Sequence, residues 1–279
     1  MRAARRDEIV TLFGEELTSQ LESLPGVYVS LSGGVDSSAV LALMAGLLPP
    51  DRLQALHFSS FLHPAREGRR AAELCRALGL TLTELQGPEL EQEGVMTNHP
   101  HRCALCKGTR LQHVEGLVRQ KGWTIVDGTN ATDKKDPTRL GNQVLAGCDF
   151  LISPFALAGL EKEDVRQLAQ RLGIDWAQER ATACMATRFP RGVRLTEEEC
   201  RRVACAEEAL EKAGISVRLR VFGEAVCLEF TPPIDFGALP LAQVREILKA
   251  QGYKRIMVDL DGYQTGREWL EKLWEVLDV

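Results

Sequence analysis

At 279 residues the chain can bury roughly three-quarters of its extended surface, which is enough for one large domain or two smaller ones. A formal net charge of −5 argues against a broadly basic nucleic-acid binder, and 44% hydrophobic residues are ordinary for a soluble protein. The eight cysteines, without an export signal, do not suggest a disulfide scaffold, and no apolar run approaches the ~20 residues a membrane span needs. A cytoplasmic protein is expected.

The N-terminal stretch MRAARRDEIVTLFGEELTSQLESL turns from basic to acidic without an unbroken apolar core. It reads as an amphipathic helix rather than a signal peptide. Val27, Tyr28 and Val29 form a short β-rich run expected as a buried parallel strand. SGGVDSSAVLAL follows. Gly33 and Gly34, lacking Cβ, allow a sharp turn into a helix expected from Ser37 to about Leu48. The amide groups at the start of that helix make an anion site, so the stretch is suited to hold a phosphate.

Further along, RLQALHFSS (52–60) and TLTELQ (81–86) read as strands, with a helix ending at Gly79 between them. TNHPHRCALCKG leads into a helix that stops at Gly122; WTIVDGTN is a fourth strand, turning at Asp127-Gly128, and DFLISPFA a fifth. A capped helix then ends at Gly173. Strands alternating with helices predict an α/β fold with a parallel sheet, whose ligands sit beyond the carboxyl ends of the strands. From about Arg191 the pattern changes. A helix is expected with Thr196 as N-cap and Glu199 completing a capping box. Two strands (SVRLRVFG, AVCLEFTP), a helix and a last strand (YKRIMVDLDG) follow. The expectation is two domains: 1–190, a nucleotide-binding α/β domain, and 191–279, a small α+β domain for substrate or oligomerisation.

Three cysteines stand apart. Cys103 and Cys106 form a C-x-x-C pair just before a helix, and Cys184 lies in ERATACMATRFPRG. Three thiolates suit a [4Fe–4S] cluster with one iron left open. A zinc site completed by His99 or His101 is the competitor, and a sacrificial or persulfide-forming Cys184 a third option. Cys75, Cys200 and Cys205 are in apolar or helical contexts expected of buried small hydrophobes.

The contiguous string Ser32-Gly33-Gly34-Val35-Asp36-Ser37-Ser38 resembles the pyrophosphate (PP) loop, S-G-G-x-D-S, of the ATP pyrophosphatase superfamily. That superfamily cleaves ATP between the α and β phosphates and makes an adenylate of the attacking oxygen. The resemblance implies that Ser32, Gly33, Gly34, Ser37 and Ser38 cradle the β and γ phosphates, and that Asp36 holds Mg²⁺ or orients a hydroxyl. With the cysteine strings, VDGTNATD, ISPFALAGLEKEDVRQLAQRLGI and VDLDGYQTG, the chain is similar along nearly its whole length to the LarE family. These are ATP-dependent sulfurtransferases that convert the carboxylates of pyridinium-3,5-biscarboxylic acid mononucleotide to thiocarboxylates, making the organic part of the nickel-pincer cofactor of lactate racemase.

The likeness implies Cys184 as sulfur donor. With Cys103 and Cys106 both present, it implies the cluster form, in which all three are ligands. Arg218 and Arg220 match the arginines that grip the substrate phosphate; residues two apart on a strand share a face, and arginine suits phosphate. Arg188 is a further candidate anion contact, and Glu207 or Glu208 a candidate to order a metal or the substrate. The expected cofactors are ATP, Mg²⁺ and [4Fe–4S]. The expected partners are a nucleotide-like small molecule, a second copy in a homo-oligomer and a sulfur-donor protein, without nucleic acid or membrane. Departures from the family are His101-Arg102 in place of Asp-Arg, VFGEAVCLEF after the Arg-x-Arg strand, and the KKDPTRLGNQVLAGCD loop. They bear on the exact substrate more than on the reaction type. tRNA base thiolation is the alternative within the same superfamily. It needs an electrostatic footprint that an acidic chain does not advertise. Amidating relatives need no cysteine triad, and a nucleotide-sensing module would not explain one.

Overall fold

The computed structural model describes residues 1–136, 141, 144–179, 183–231 and 234–263. Part of the KKDPTRLGNQVLAGCD loop that departs from the family pattern (137–140, 142 and 143), and the end of VDLDGYQTG, lie outside these residues. The chain divides into two compact units, Met1–Gln92 with His101–Thr182, and Glu93–Pro100 with the residues from Ala183 onward.

The first unit is built on five parallel strands, β1 (Val27–Ser30), β2 (Leu53–Ser59), β3 (Thr81–Gln86), β4 (Thr124–Val126) and β5 (Leu151–Ile152), in the order β3-β2-β1-β4-β5. Its longer helices are α1 (Arg6–Glu22), α2 (Val35–Leu47), α3 (Ala65–Leu78), α4 (Arg102–Lys121) and α5 (Lys162–Arg171). Strand alternation sends successive side chains to opposite faces. Val27 and Val29 of β1 join Leu53 and Ala55 of β2 in a core filled by α1, α2, α3 and α5, with Ile9, Leu41, Leu74 and Leu168 among its members. Tyr28 and Leu56 face the other way, onto Val114 and Val118 of α4. The sheet is therefore covered on both sides, in keeping with the apolar runs of β1, β4 and β5, while the edge strand β3 (TLTELQ) alternates with polar residues.

Two expectations shift slightly. α2 begins at Val35, not Ser37, because Gly34 is already the extended N-cap (φ −78°, ψ 169°). The fifth strand is only Leu151–Ile152, since Pro154 opens a short helical turn, Pro154–Leu157, with its fixed φ. Gly79 and Gly122 take left-handed conformations at the ends of α3 and α4, as the glycine stops anticipate.

The second unit has a three-stranded sheet in the order β6 (Val217–Phe222), β7 (Ala225–Phe230), β8 (Arg255–Val258). β6 and β7 pair antiparallel, β7 and β8 parallel. α6 (Glu197–Lys212) and α7 (Leu241–Ala250) supply Val203, Leu210, Val244 and Leu248 to its buried core. Thr196 caps α6, its hydroxyl accepting from Glu199 N at 3.3 Å. The Glu199 carboxylate meets the Thr196 hydroxyl (3.2 Å) rather than the N-cap amide, so only half of the expected capping box forms.

The segment 93–100 is pinned to this unit by Asn98. Its side chain is fully buried and its Nδ2 reaches the carbonyls of Ala186 (3.1 Å), Phe189 (3.1 Å) and Pro190 (2.6 Å). No described helix is long and apolar enough to cross a membrane.

Candidate active site

The glycine turn lies where β1 gives way to α2, at the carboxyl edge of the sheet. Gly33 has φ +84°, and a Cβ there would sit 2.1 Å from the Glu67 carbonyl oxygen. Only glycine meets both conditions. The turn is knitted by its own hydroxyls. Ser37 Oγ donates to Gly34 O (3.1 Å) and accepts from Ser32 N (3.2 Å). Ser32 Oγ lies 3.0 Å from Ser37 Oγ and accepts from Gly34 N (3.2 Å). Ser38 Oγ is buried with no hydrogen-bond partner among the described residues.

Asp36, in the first turn of α2, has Lys162 Nζ 3.9 Å from its Oδ2. The neighbouring β4 loop comes so close that a Cβ on Gly128 would meet the Asp36 carbonyl carbon at 2.6 Å and Ser37 N at 2.7 Å.

Beside Gly128 stands Asp127, which sequence reasoning quoted but assigned no role. It is buried and held in one orientation. Its Oδ1 accepts from Ser153 Oγ (2.6 Å) and Thr129 N (3.2 Å), and its Oδ2 from Thr129 Oγ1 (2.7 Å). Lys107, directly after Cys106, approaches Asp127 Oδ2 at 3.6 Å. Thus two lysines and two aspartates bracket the helix start. An Asp-Gly at a strand end was the available signal for Asp127; nothing local marks Lys107 or Lys162.

A small open cavity at the ends of β1 and β2 is lined by Ser30, Ser32, His57, Phe58, His63 and Arg110, among others. His57 Nδ1 donates to the Leu31 carbonyl at 2.8 Å and so steadies the entry to the turn. Arg110 donates to the fully buried Glu89 and lies over the Phe58 ring, 5.0 Å from its centroid. His63 is held neutral: burial, and then the Arg110 charge, push its pKa well below the usual imidazole range.

Cys103 and Cys106 sit one turn apart at the start of α4, the first exposed, the second half-buried. They belong to the first unit and Cys184 to the second. Cys184 is half-buried, at the N-cap of the short 3₁₀ turn Met185–Arg188. Among the described residues no group of three or more His, Cys, Asp or Glu side chains forms a metal site. Cys75, Cys200 and Cys227 are buried, and burial pushes their thiols up to about 11, 12 and 11. They are packing residues rather than sulfur carriers. Cys205, in contrast to the expectation of burial, is exposed.

Around the Cys184 turn the second unit gathers Arg188 and Arg220. Arg188 pairs with Glu207 (Nη2 to Oε2 2.8 Å), and Arg220 with the buried Glu229 (Nε to Oε2 2.9 Å). Arg218 shares the Arg220 face of β6 and lies over the Tyr263 ring. Glu229 and Tyr263 were not foreseen, since neither lies in a motif that names its partner.

Residues 8–106 match the family model described as asparagine synthase, which spans the glycine turn. Over 256 residues, 90% of this chain and 91% of the relative, the sequence is 28% identical to a pyridinium-3,5-bisthiocarboxylic acid mononucleotide synthase of Lactiplantibacillus plantarum. The chain is LarE-like. It is also 28% identical over 259 residues (91% of this chain, 95% of the relative) to an uncharacterized Synechocystis protein. The LarE-like sequence, the parallel α/β unit and the pyrophosphate loop agree with one another: this is an ATP-using enzyme of the sulfurtransferase type.

Proposed function

We infer that the chain adenylates a carboxylate of a pyridinium dicarboxylate mononucleotide and replaces the adenylate with sulfur, giving a thiocarboxylate. The observation that carries this is the S-G-G-x-D-S turn at the start of α2 in a chain LarE-like over nine-tenths of its length. In the first step a substrate carboxylate oxygen attacks the α phosphorus of ATP. The bond to the β-phosphate bridge breaks, and pyrophosphate leaves. In the second, a sulfur nucleophile adds to the acyl carbon and AMP departs with the C–O bond's electron pair, leaving R–COS⁻.

The work of this chain is to hold these groups. The turn Ser32–Ser38 cradles the β and γ phosphates through backbone amides at a helix start, where the macrodipole favours anions. The buried Ser38 hydroxyl, without a protein partner among the described residues, is a group a phosphate oxygen would satisfy. Asp36 is a hard oxygen donor of the kind Mg²⁺ takes alongside phosphates. Lys107 and Lys162 offset charge on the departing pyrophosphate. In the second unit, the arginine-bearing strand β6 receives the substrate phosphate, and the Cys184 turn presents sulfur.

Cys103, Cys106 and Cys184 are the proposed ligands of a [4Fe–4S] cluster. Their sequence pattern and accessible thiols support this, because thiolates are the ligands such clusters use. When bound, the cluster supplies a sulfide on its open iron. Purification without oxygen tests that part: about four irons and four or more sulfides per chain are expected, whereas colourless protein with stoichiometric zinc contradicts it. For the reaction, ATP and the pyridinium dicarboxylate should yield AMP, pyrophosphate and a thiocarboxylate. A salt-sensitive tRNA gel shift without turnover of the pyridinium would instead favour base thiolation.

A further inference from the structure

β8 (Arg255–Val258) lies at one side of the second sheet, and among the described residues no strand pairs with its far side. The ladder with β7 fixes which backbone groups are left over. Arg255 N donates to Glu224 O at 3.3 Å and Asp259 N to Leu228 O at 3.0 Å, in a parallel register that sets Met257 beside Cys227. The residues of a parallel strand turn their backbone groups alternately to one neighbour and the other. Arg255, Met257 and Asp259 therefore turn inward to β7, while the amides and carbonyls of Ile256 and Val258 turn to the open edge.

The side chains here are not those of a protected edge. Natural edge strands are blunted by proline, by bulges or by charges; the centre of β8 is Ile-Met-Val. Met257 is 42% exposed, and Leu260, just past the strand, 75%. Ile256 and Val258 stand beside the fully buried Val226 and Leu228 but are themselves only half-buried, so the core of the second unit reaches the surface on this side.

The run Arg255-Ile256-Met257-Val258-Asp259 complements itself when reversed. Place a two-fold axis at Met257 and lay a second copy antiparallel along the edge. Ile256 then faces Val258 of the second copy in a hydrogen-bonded pair, which uses the outward groups of both. Arg255 faces Asp259 of the second copy. Met257 faces its own counterpart in the closer, non-hydrogen-bonded pair. Opposite charges across a strand pair attract and like charges repel. The other centres fail on that ground: an axis at Arg255 or Asp259 sets like charges face to face, and one at Ile256 or Val258 sets a charge against Met257. The Asp259 carboxylate accepts from Asp261 N at 3.0 Å, and a carboxylate has lone pairs for both that bond and a guanidinium.

We propose that β8 is a dimerisation edge: two copies of this chain join antiparallel about a two-fold axis at Met257, merging two three-stranded sheets into one. The occupant is a second copy because the edge matches itself in charge, in apolar side chains and in backbone groups at once. Such a contact is self-complementary and closed, so it stops at pairs rather than growing into a filament.

The test uses the full chain and reads mass by sedimentation over a range of concentrations. The parent should form assemblies with an even number of chains. Arg255→Glu, at an exposed position, sets a carboxylate opposite Asp259. It should weaken association at this edge at least tenfold and halve the mass where the parent is assembled. Adding Asp259→Arg to that variant restores opposite charges and should restore the parent's mass. Met257→Cys gives a readout that tolerates other contacts between copies and does not depend on the charge variants folding. Non-hydrogen-bonded partners have Cα atoms about 4.5 Å apart, within disulfide reach, so mild oxidation should yield peptides linked through position 257 of both copies. Arg255→Cys is the register control: position 255 of one copy lies four strand positions from that of the other, about 14 Å, and should not link. A parent that stays monomeric, or assembles in odd numbers, overturns the proposal. So does mass unchanged by Arg255→Glu, or linkage through position 255 in place of 257. A monomer whose Ile256 and Val258 amides resist hydrogen exchange would assign the edge to residues 264–279 of the same chain and overturn it as well.

Discussion

Gly33 shows how much one residue can determine. Its positive φ excludes most side chains, and the Glu67 backbone fills the place a Cβ would take. Gly33→Ala is expected to distort the turn rather than unfold the first unit. The left-handed conformation alone costs about 1–2 kcal/mol, and the clash adds to it. Loss of ATP binding in calorimetry, with a melting temperature within a few degrees of the parent, is the predicted result; retained ATP affinity contradicts it. Cys184 is the second such residue. Cys184→Ala should leave formation of AMP-linked substrate and pyrophosphate intact while abolishing the thiocarboxylate. Unchanged thiolation, read by mass spectrometry, would remove Cys184 from the mechanism. The turn at Gly33 was legible in the sequence, because a contiguous string at a strand-to-helix junction calls for it; the sulfur role of Cys184 stands as the proposal made above. Asp127, Lys107 and Lys162 were not legible, because their value arises only when β4, α4 and α5 bring them to one helix start.

Among the elements, the parallel sheet followed from sequence with little loss. Apolar strand runs, glycine helix stops and helical spacing all agreed, and agreement across levels is what makes a fold readable. The exceptions are local. Pro154 shortens β5, and Gly34 moves the start of α2 forward by two residues from the expected Ser37. The excursion of 93–100 into the second unit was not legible at all. Its anchor, Asn98, is a single polar residue in a loop, and its three carbonyl partners lie some ninety positions away. Asn98→Ala removes the donor and leaves buried carbonyls unsatisfied, which should cost about 1–3 kcal/mol. The φ of +50° at this position adds strain for alanine. Because those carbonyls belong to the Cys184 turn and the two residues that follow it, the variant should also change the rate of Cys184 alkylation. A stability loss with unchanged alkylation would separate the anchor from the sulfur site.

At the scale of the molecule, two compact units carry different features: the glycine turn at a sheet edge in one, an arginine-bearing strand and a cysteine turn in the other. Stability of the first unit should respond to acid in a characteristic window. His63 is neutral when folded, kept so by burial and Arg110 against the opposing pull of Glu89, with His57 adding to the effect. Unfolded, it takes a proton near the ordinary value of 6.5. The unfolded state therefore binds more protons below that pH, and stability falls as pH drops from about 6.5 toward the depressed folded value. Each unit of pH in that window costs up to about 1.4 kcal/mol. Melting of the parent between pH 7 and 5 should show this fall, and His63→Gln should flatten it; an equal slope in both would assign the effect elsewhere. The central claim concerns the reaction itself. Mixing the anaerobically purified protein with ATP and pyridinium-3,5-biscarboxylic acid mononucleotide should release AMP and pyrophosphate in equal amounts, dependent on the pyridinium, with thiocarboxylate appearing in step. Release of ADP and phosphate, or no nucleotide turnover on adding the pyridinium, would contradict it.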